Sequence, residues 1–292
     1  MFSGIHVRVA GMTVAAVLLG FGAHRPAEVK LVRMTRHHAP AKIHSHRQGM
    51  TESYNWGGYA IPTANGDVTS VSGTWVVPTA TCGTAENDTK GYAAFWVGID
   101  GYSSNTVEQT GTDSDCVSTN GRQTDTPTYY AWFEFYPADG YYIIFPQAIT
   151  PGDVMTATVT CDGLVTTTVR RGRSSSTTTA PEYTITITDT SKGNESYSTT
   201  AVVSGAEGNS AEWIVEAPCC ENNGDVLPLA DFNPWTGFTS TSATISGGAY
   251  SAASSASEEI TMVGEFSSAV KAQPSTAAAG GAYTATWISA GP

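Results

Sequence analysis

The sequence predicts an all-β protein whose strands have the spacing of a sandwich or a barrel. Three observations carry that prediction. Short segments rich in Thr, Val, Tyr and Trp recur along most of the chain, and many alternate with period two. Gly, Asn, Asp and Pro punctuate them. No stretch keeps a helical periodicity for more than about three turns. At 292 residues and 40% hydrophobic content the chain can close one large β domain or two small ones. No repeat at a solenoid or propeller period is visible.

From the N-terminus, residues 1–23 have the form of a secretory signal peptide. A sparse basic start (His6, Arg8) leads into an apolar run over 12–21, and Gly22 and Ala23 follow. The run is short for a membrane span, so the expectation is a secreted, extracellular protein with no membrane partner. Residues 24–50 carry Arg25, Lys30, Arg33, Arg36, Lys42 and Arg47 against Glu28, with five histidines and no apolar periodicity. They read as a basic propeptide, with a flexible tail as the plainer alternative. Residues 51–292 form the β domain. Within it, 68–78, 128–136, 154–161, 164–169, 183–188 and 283–287 are expected strands. Residues 170–176, with three arginines and three serines, are expected to be a solvated loop. Five cysteines remain: Cys82, Cys116, Cys161, Cys219 and Cys220. A Cys82–Cys116 bond would tie the loops on either side of the strand holding Trp96, but the sequence does not settle the pairing. The odd count leaves a thiol or an intermolecular bond.

Charge and histidine exclude more than they assign. Residues 1–50 hold seven of the 14 Lys and Arg and one of the 26 acids, a balance of +6, which leaves the remainder at −18. A body of that charge argues against nucleic acid as a partner. All six histidines lie before residue 47. Once the leader is gone, a Ser-His-Asp or Cys-His mechanism and an imidazole-bound zinc are excluded.

The stretch Ala211-Glu212-Trp213-Ile214-Val215-Glu216-Ala217-Pro218 carries the chemistry. As a strand it puts Glu212, Ile214 and Glu216 on one face and Trp213 and Val215 on the other. Two carboxylates on one face suit a strand that lines an acidic cleft, and Pro218 closes the ladder. Three further stretches stand out: Phe95-Trp96-Val97-Gly98-Ile99-Asp100-Gly101, Val107-Glu108-Gln109-Thr110-Gly111-Thr112-Asp113 and Tyr130-Ala131-Trp132-Phe133-Glu134-Phe135-Tyr136-Pro137. Together with Asn55-Trp56-Gly57-Gly58-Tyr59 and the later Leu227-Pro228-Leu229-Ala230-Asp231-Phe232, these blocks resemble, in content and order, the glutamic peptidases (eqolisins). The resemblance runs from about Ser53 to the C-terminus.

The resemblance implies an antiparallel β-sandwich of two large sheets, concanavalin- or lectin-like, and a secreted, acid-acting endopeptidase insensitive to pepstatin. It implies Gln109 and Glu216 as the catalytic pair. It places Trp56, Trp96 and Glu134 against substrate, with Asp100, Asp113 and Glu212 in support. No cofactor or metal is expected. The partners are protein or peptide substrates and its own propeptide as inhibitor, and the enzyme is expected to be a monomer. The sequence departs from the family where Tyr130 stands before Ala131-Trp132, a place where Asp is frequent.

The residues suit the chemistry in their own right. Peptide hydrolysis needs a base for water, a donor for the developing oxyanion and an acid for the leaving nitrogen. One carboxylate can take the proton and return it, while a neutral amide donates to the oxyanion and does not titrate. Glu212 shares the face with Glu216, and only the family pattern separates them. Two rivals share the architecture: a glycoside hydrolase using paired carboxylates such as Glu134 and Glu216, and a lectin-like binding module. For the leader, protonation of its histidines at ~6.5 is expected to tighten binding, and neutralisation of cleft carboxylates near pH ~4 to release it.

Overall fold

The computed structural model describes residues 28–47, 50–82, 91–117, 123–171, 174–219 and 225–291. The expected signal peptide therefore lies outside the described residues. None of the described residues is helical, and so no helix there is long and apolar enough to cross a membrane.

The strands are β1 (Lys30–Arg33), β2 (Ile43–Arg47), β3 (Met50–Ser53), β4 (Trp56–Pro62), β5 (Val68–Val76) and β6 (Ala94–Ile99). Next come β7 (Val107–Val117), β8 (Gln123–Tyr136), β9 (Tyr141–Ile144), β10 (Val154–Arg171), β11 (Ser174–Asp189) and β12 (Glu195–Val202). The chain closes with β13 (Ser210–Glu216), β14 (Phe238–Ile245), β15 (Gly248–Tyr250), β16 (Glu258–Val263), β17 (Val270–Pro274) and β18 (Ala285–Trp287). They form two sheets. The larger runs β1-β9-β8-β7-β6-β13-β4-β16-β17-β18, with β3 pairing β16 and β2 pairing β3; the smaller runs β12-β11-β10-β5-β14-β15. Apart from the parallel β3–β16 pair, neighbouring strands are antiparallel. The architecture is the all-β sandwich that the sequence predicts.

Period-two alternation explains the two layers. Phe95, Val97, Trp213 and Val215 point from the large sheet toward Val71, Trp75, Val159 and Ile185 of the small one, forming the main core. The alternate residues of the same strands, Trp96 and Ile214 among them, make a second apolar cluster on the other face with Trp56, Trp132 and Tyr142. Met34 belongs to this cluster too, and Ala41 and Ile43 pack against it, so the leader forms its cover.

Residues 154–161 and 164–169 are one strand, β10, with a bulge between Cys161 and Gly163. The expected loop at 170–176 is shorter than its polarity suggests, because pairing continues to Arg171↔Ser174. Threonine supplies the reason: it is β-branched, and its hydroxyls pair across the exposed face. Thr166 meets Thr179, Thr168 meets Thr177, Thr184 meets Thr200 and Thr186 meets Ser198 at 2.9–3.1 Å.

Cys82 and Cys116 are disulfide-bonded, Cys161 is a free thiol, and Cys219 is disulfide-bonded. The Cys82–Cys116 bond spans 34 residues, and closing such a loop removes about 3–4 kcal/mol of unfolded-chain entropy. A Cys82→Ser/Cys116→Ser variant is expected to lose stability of that order in denaturant titration. An unchanged midpoint would show that the bond does not hold the domain.

Candidate active site

Five adjacent strands, β8-β7-β6-β13-β4, build the site by register alone. Their pairing lays three rows of side chains across one face. The first row is Trp56, Glu216, Ala94, Asp113 and Tyr130; the second is Gly58, Ile214, Trp96, Gly111 and Trp132. The third is Ala60, Glu212, Gly98, Gln109 and Glu134. Gln109 and Glu216 thus lie one strand apart on either side of β6, with Trp96 between them. Trp96 donates its indole N–H to Glu216 Oε2 at 2.8 Å and meets Trp56 edge-on. Gly111 faces Trp96 across the ladder, where a Cβ would come within 2.3 Å of the Phe95 carbonyl oxygen and 2.5 Å of Trp96 Cβ. Only glycine fits there, and it lets the indole lie over the sheet.

Residues 33–42 of the leader cross these rows. On the entry side, β1 adds to β9, Arg33 pairs with Asp139, and Met34 N–H donates to the Gly140 carbonyl at 2.9 Å. Arg36 is buried, 2.6 Å from Asp115 Oδ2 and 2.7 Å from the Tyr130 hydroxyl, with its guanidinium 4.2 Å over the Tyr92 ring. His37 Nδ1 lies 2.5 Å from Glu134 Oε1. The His38 amide donates to Glu134 Oε2 at 2.8 Å, and its carbonyl accepts from Gln109 Nε2. The His38 ring stacks on Trp132 at 3.7 Å between centroids, its Nδ1 3.4 Å from Glu216 Oε2 and its Nε2 3.6 Å from Asp113 Oδ1. Downstream, the Ala39 carbonyl accepts from Trp56 Nε1 at 3.0 Å and Asn55 Nδ2 at 3.3 Å; the Pro40 carbonyl accepts from Asn55 Nδ2 at 3.1 Å.

The leader removes water from the acids it covers, and their affinities for protons follow. Burial pushes Glu216 well above the usual carboxylate range, helped by the nearby charges of Glu134 and Asp113 and opposed by the Trp96 and Asn55 hydrogen bonds. Asp113 is pushed well up by burial and by Asp115. Asp115 is pushed up to about 6 by burial, with Arg36 and Tyr130 pulling it back. Burial also raises Glu134 against its bonds from His37 and His38.

The two histidines move oppositely. His37 rises, chiefly through its bond to Glu134. His38 falls well below its ordinary value because it is fully buried, with Arg36 and His37 adding to the effect. A ring that binds protons more weakly when bound than when free is released by acid. His38 therefore runs against the expectation that histidine protonation tightens the leader, while His37 follows it.

The structure gathers Trp56, Trp96, Gln109, Asp113, Glu134 and Glu216 around one short peptide segment. Asp100 lies elsewhere, beyond the end of β6, and Glu212, though in the row of Gln109, stands two strands from it with Gly98 between. Asp100 accepts the backbone N–H groups of Glu207, Gly208 and Asn209 at 2.7–2.9 Å and so fixes the loop that enters β13. Glu212 is buried beside Ser210, and the charges of Asp100 and Glu108 act on it from a distance. Asn55, Trp132 and Asp115 also touch the leader, and sequence reasoning gave them no role. Trp132 was within reach of it, since period two puts it on the face of Glu134. Tyr130, the departure from the family pattern, bonds both Asp115 and Arg36.

The sequence matches the profile described as the Peptidase A4 family over residues 54–279. No curated protein matches the chain. Among solved structures, scytalido-glutamic peptidase with a transition state analog inhibitor aligns at TM-score 0.60 and 24% identity, over 80% of this chain and 98% of that one. SCP-B, a member of the eqolisin family in complex with the tripeptide Ala-Ile-His, aligns at TM-score 0.56 and 23% identity, with the same coverage. These two likenesses bear on the fold.

Proposed function

Because the chain belongs to the Peptidase A4 family, we propose that Gln109 and Glu216 are its catalytic pair and that its leader is its inhibitor. The protein is a glutamic endopeptidase, and its substrates are proteins and peptides. The observation that carries the residue assignment is that both side chains meet at one peptide residue. Gln109 donates to the His38 carbonyl, and Glu216 faces the ring of the same residue. A substrate carbonyl held in that way is polarised by the amide, which strengthens its bond as the oxyanion forms. Glu216, uncovered and ionised, takes a proton from water and returns it to the leaving nitrogen. Trp96 and Asn55 orient that carboxyl. Glu134 accepts the amide N–H on the other side of the carbonyl and so fixes the peptide direction. That SCP-B was solved with a bound tripeptide fits a peptide ligand for this chain. Export and action as a monomer fit the same reading: the disulfide suits an oxidising compartment, and one chain supplies all the cleft residues described.

With the leader in place, Glu216 is buried and holds its proton, which leaves it unable to act as a base. Inhibition is thus covering and neutralisation together. Arg36 is the main anchor, since its removal leaves two buried acids without their cation. A synthetic peptide of residues 28–47 is expected to inhibit the leader-free enzyme, and Arg36→Ala to weaken it about 10²-fold. His38 favours weaker inhibition in acid, because its ring resists the proton when bound. The cleft acids hold their protons more tightly when covered and favour the opposite. A His38→Ala peptide is therefore expected to gain potency relative to the natural one as pH falls from ~6 to ~3. Equal potency of the natural and Arg36→Ala peptides would remove Arg36 from the anchor role. The activity itself is checked by digestion of a denatured protein at acid pH with pepstatin present. Fragments are expected; an intact substrate would overturn the reading.

A further inference from the structure

We propose that the enzyme makes its own first cut between His38 and Ala39. This rests on the pairing of Gln109 and Glu216 proposed above and adds to it a defined bond. The hydrogen bonds fix the register of the leader. Of its carbonyls, that of His38 takes the Gln109 amide, while those of Ala39 and Pro40 go to Asn55 and Trp56. The polarised carbonyl carbon is therefore that of His38. The bond that follows it ends in the N–H of Ala39, a nitrogen that can leave as a primary amine. The next bond, Ala39–Pro40, ends in a ring nitrogen with no hydrogen and has no contact with Gln109.

The segment is also held on both sides of the bond, as hydrolysis at one position requires. Upstream, Arg36, His37 and the His38 amide are fixed by Asp115 and Glu134. Downstream, Ala41 N–H donates to the Gly101 carbonyl at 2.9 Å, Lys42 N–H to Asn55 Oδ1 at 2.7 Å, and Tyr54 N–H to the Lys42 carbonyl at 3.0 Å. The residue after the bond is small and buried, 7% exposed.

The balance of the step is simple hydrolysis. Water's oxygen bonds to the His38 carbonyl carbon and one of its protons passes to Glu216. The C–N bond then breaks, and that proton goes to the Ala39 nitrogen. One water is consumed, leaving a carboxyl on His38 and an amine on Ala39. The His38 ring covers Glu216 in the intact leader, so the ring must swing off Trp132 to readmit water; the carboxyl then gives up the proton that burial made it hold and can act as the base. After the cut, the upstream peptide ends in a new carboxyl beside Glu134, Asp113 and Glu216 and is no longer joined to the domain by the chain. Residues from Ala39 onward stay with the domain through the β2–β3 pairing.

The test uses the full chain, purified near neutral pH and shifted to acid, with early samples taken for N-terminal sequencing and intact mass. The earliest new N-terminus is expected at Ala39, with a released peptide ending in His38. Ala39→Pro puts a ring on the leaving nitrogen and restricts the backbone on both sides of the bond, so loss of that fragment is expected. A first cut elsewhere, in a preparation that digests denatured protein, would overturn this inference and leave the catalytic pair standing. A cut at Ala39 that persists in Glu216→Gln would also overturn it, as the work of another protease. No digestion of any substrate by the acid-treated wild-type chain would instead remove the reading beneath it.

Discussion

Glu216→Gln is expected to abolish peptide hydrolysis while leaving the fold intact, and Gln109→Ala to lower turnover by at least ~10²–10³. The two losses have different origins. Glutamine at 216 keeps the volume and can still meet Trp96 and Asn55, but it cannot take a proton from water. Alanine at 109 removes the amide that meets the substrate carbonyl, and with it the donor to the oxyanion. If the residues act as one unit, the double variant should be little worse than Glu216→Gln alone. Glu212→Gln is the informative control, because it lies on the same strand face beside Ser210, four residues from Glu216. It should retain far more activity. Turnover on a denatured protein, measured beside circular dichroism on leader-free variants, separates the cases. Full activity in Glu216→Gln, or a greater loss in Glu212→Gln, would reassign the carboxylate.

The second large effect is on stability. Glu108 and Glu212 are buried, and burial pushes both well above the ordinary carboxylate range, with Asp100 and each other's charge adding to it for Glu212. A carboxyl that binds its proton more tightly in the folded chain contributes stability that is complete below its unfolded pKa of ~4.3. That contribution is lost as pH rises toward the folded pKa, at about 1.4 kcal/mol per pH decade for each group fully in that window. The leader-free enzyme is therefore expected to melt at progressively lower temperature from pH ~4 to ~7, by several degrees per decade. Replacing both glutamates by glutamine should flatten that slope. A melting temperature that holds or rises over the interval would show that these carboxyls are ionised in the folded protein.

How much of this could be read from the sequence varies with the kind of interaction. The alternation in 94–99 and 210–216 fixed which residues face the core, because strand geometry is local. Glu216 could be told from Glu212 only through the family pattern, since both have the same parity. What separates them in space is a position along the strand: Glu216 lies in the row of Trp56 and Asp113, Glu212 in the row of Gln109. Register across five strands decides that, and register is not written in any one segment. Asn55 illustrates the same limit, because its site role depends on residues 39–42 folding back over it. For the leader, charge predicted attraction to the body. It could not predict that His38 would be stripped of water and respond to acid in the sense opposite to His37.

The threonine ladder on the outer face of the small sheet bears on how the enzyme survives in acid. Most proteins swell at low pH because their ammonium and guanidinium groups keep their charge once the carboxylates are neutral, and the molecule repels itself. Here that face is knit by hydroxyl pairs such as Thr184–Thr200 and Thr186–Ser198. Beyond residue 50 the sequence holds only seven lysines and arginines. When the carboxylates take up protons, little positive charge is left to push the sheets apart. The six histidines, which would add to it, all lie in the first 46 residues, and four of them precede the cut proposed at Ala39. A face of hydroxyls does not titrate, and the few cations beyond residue 50 leave the folded chain only a modest positive charge in strong acid.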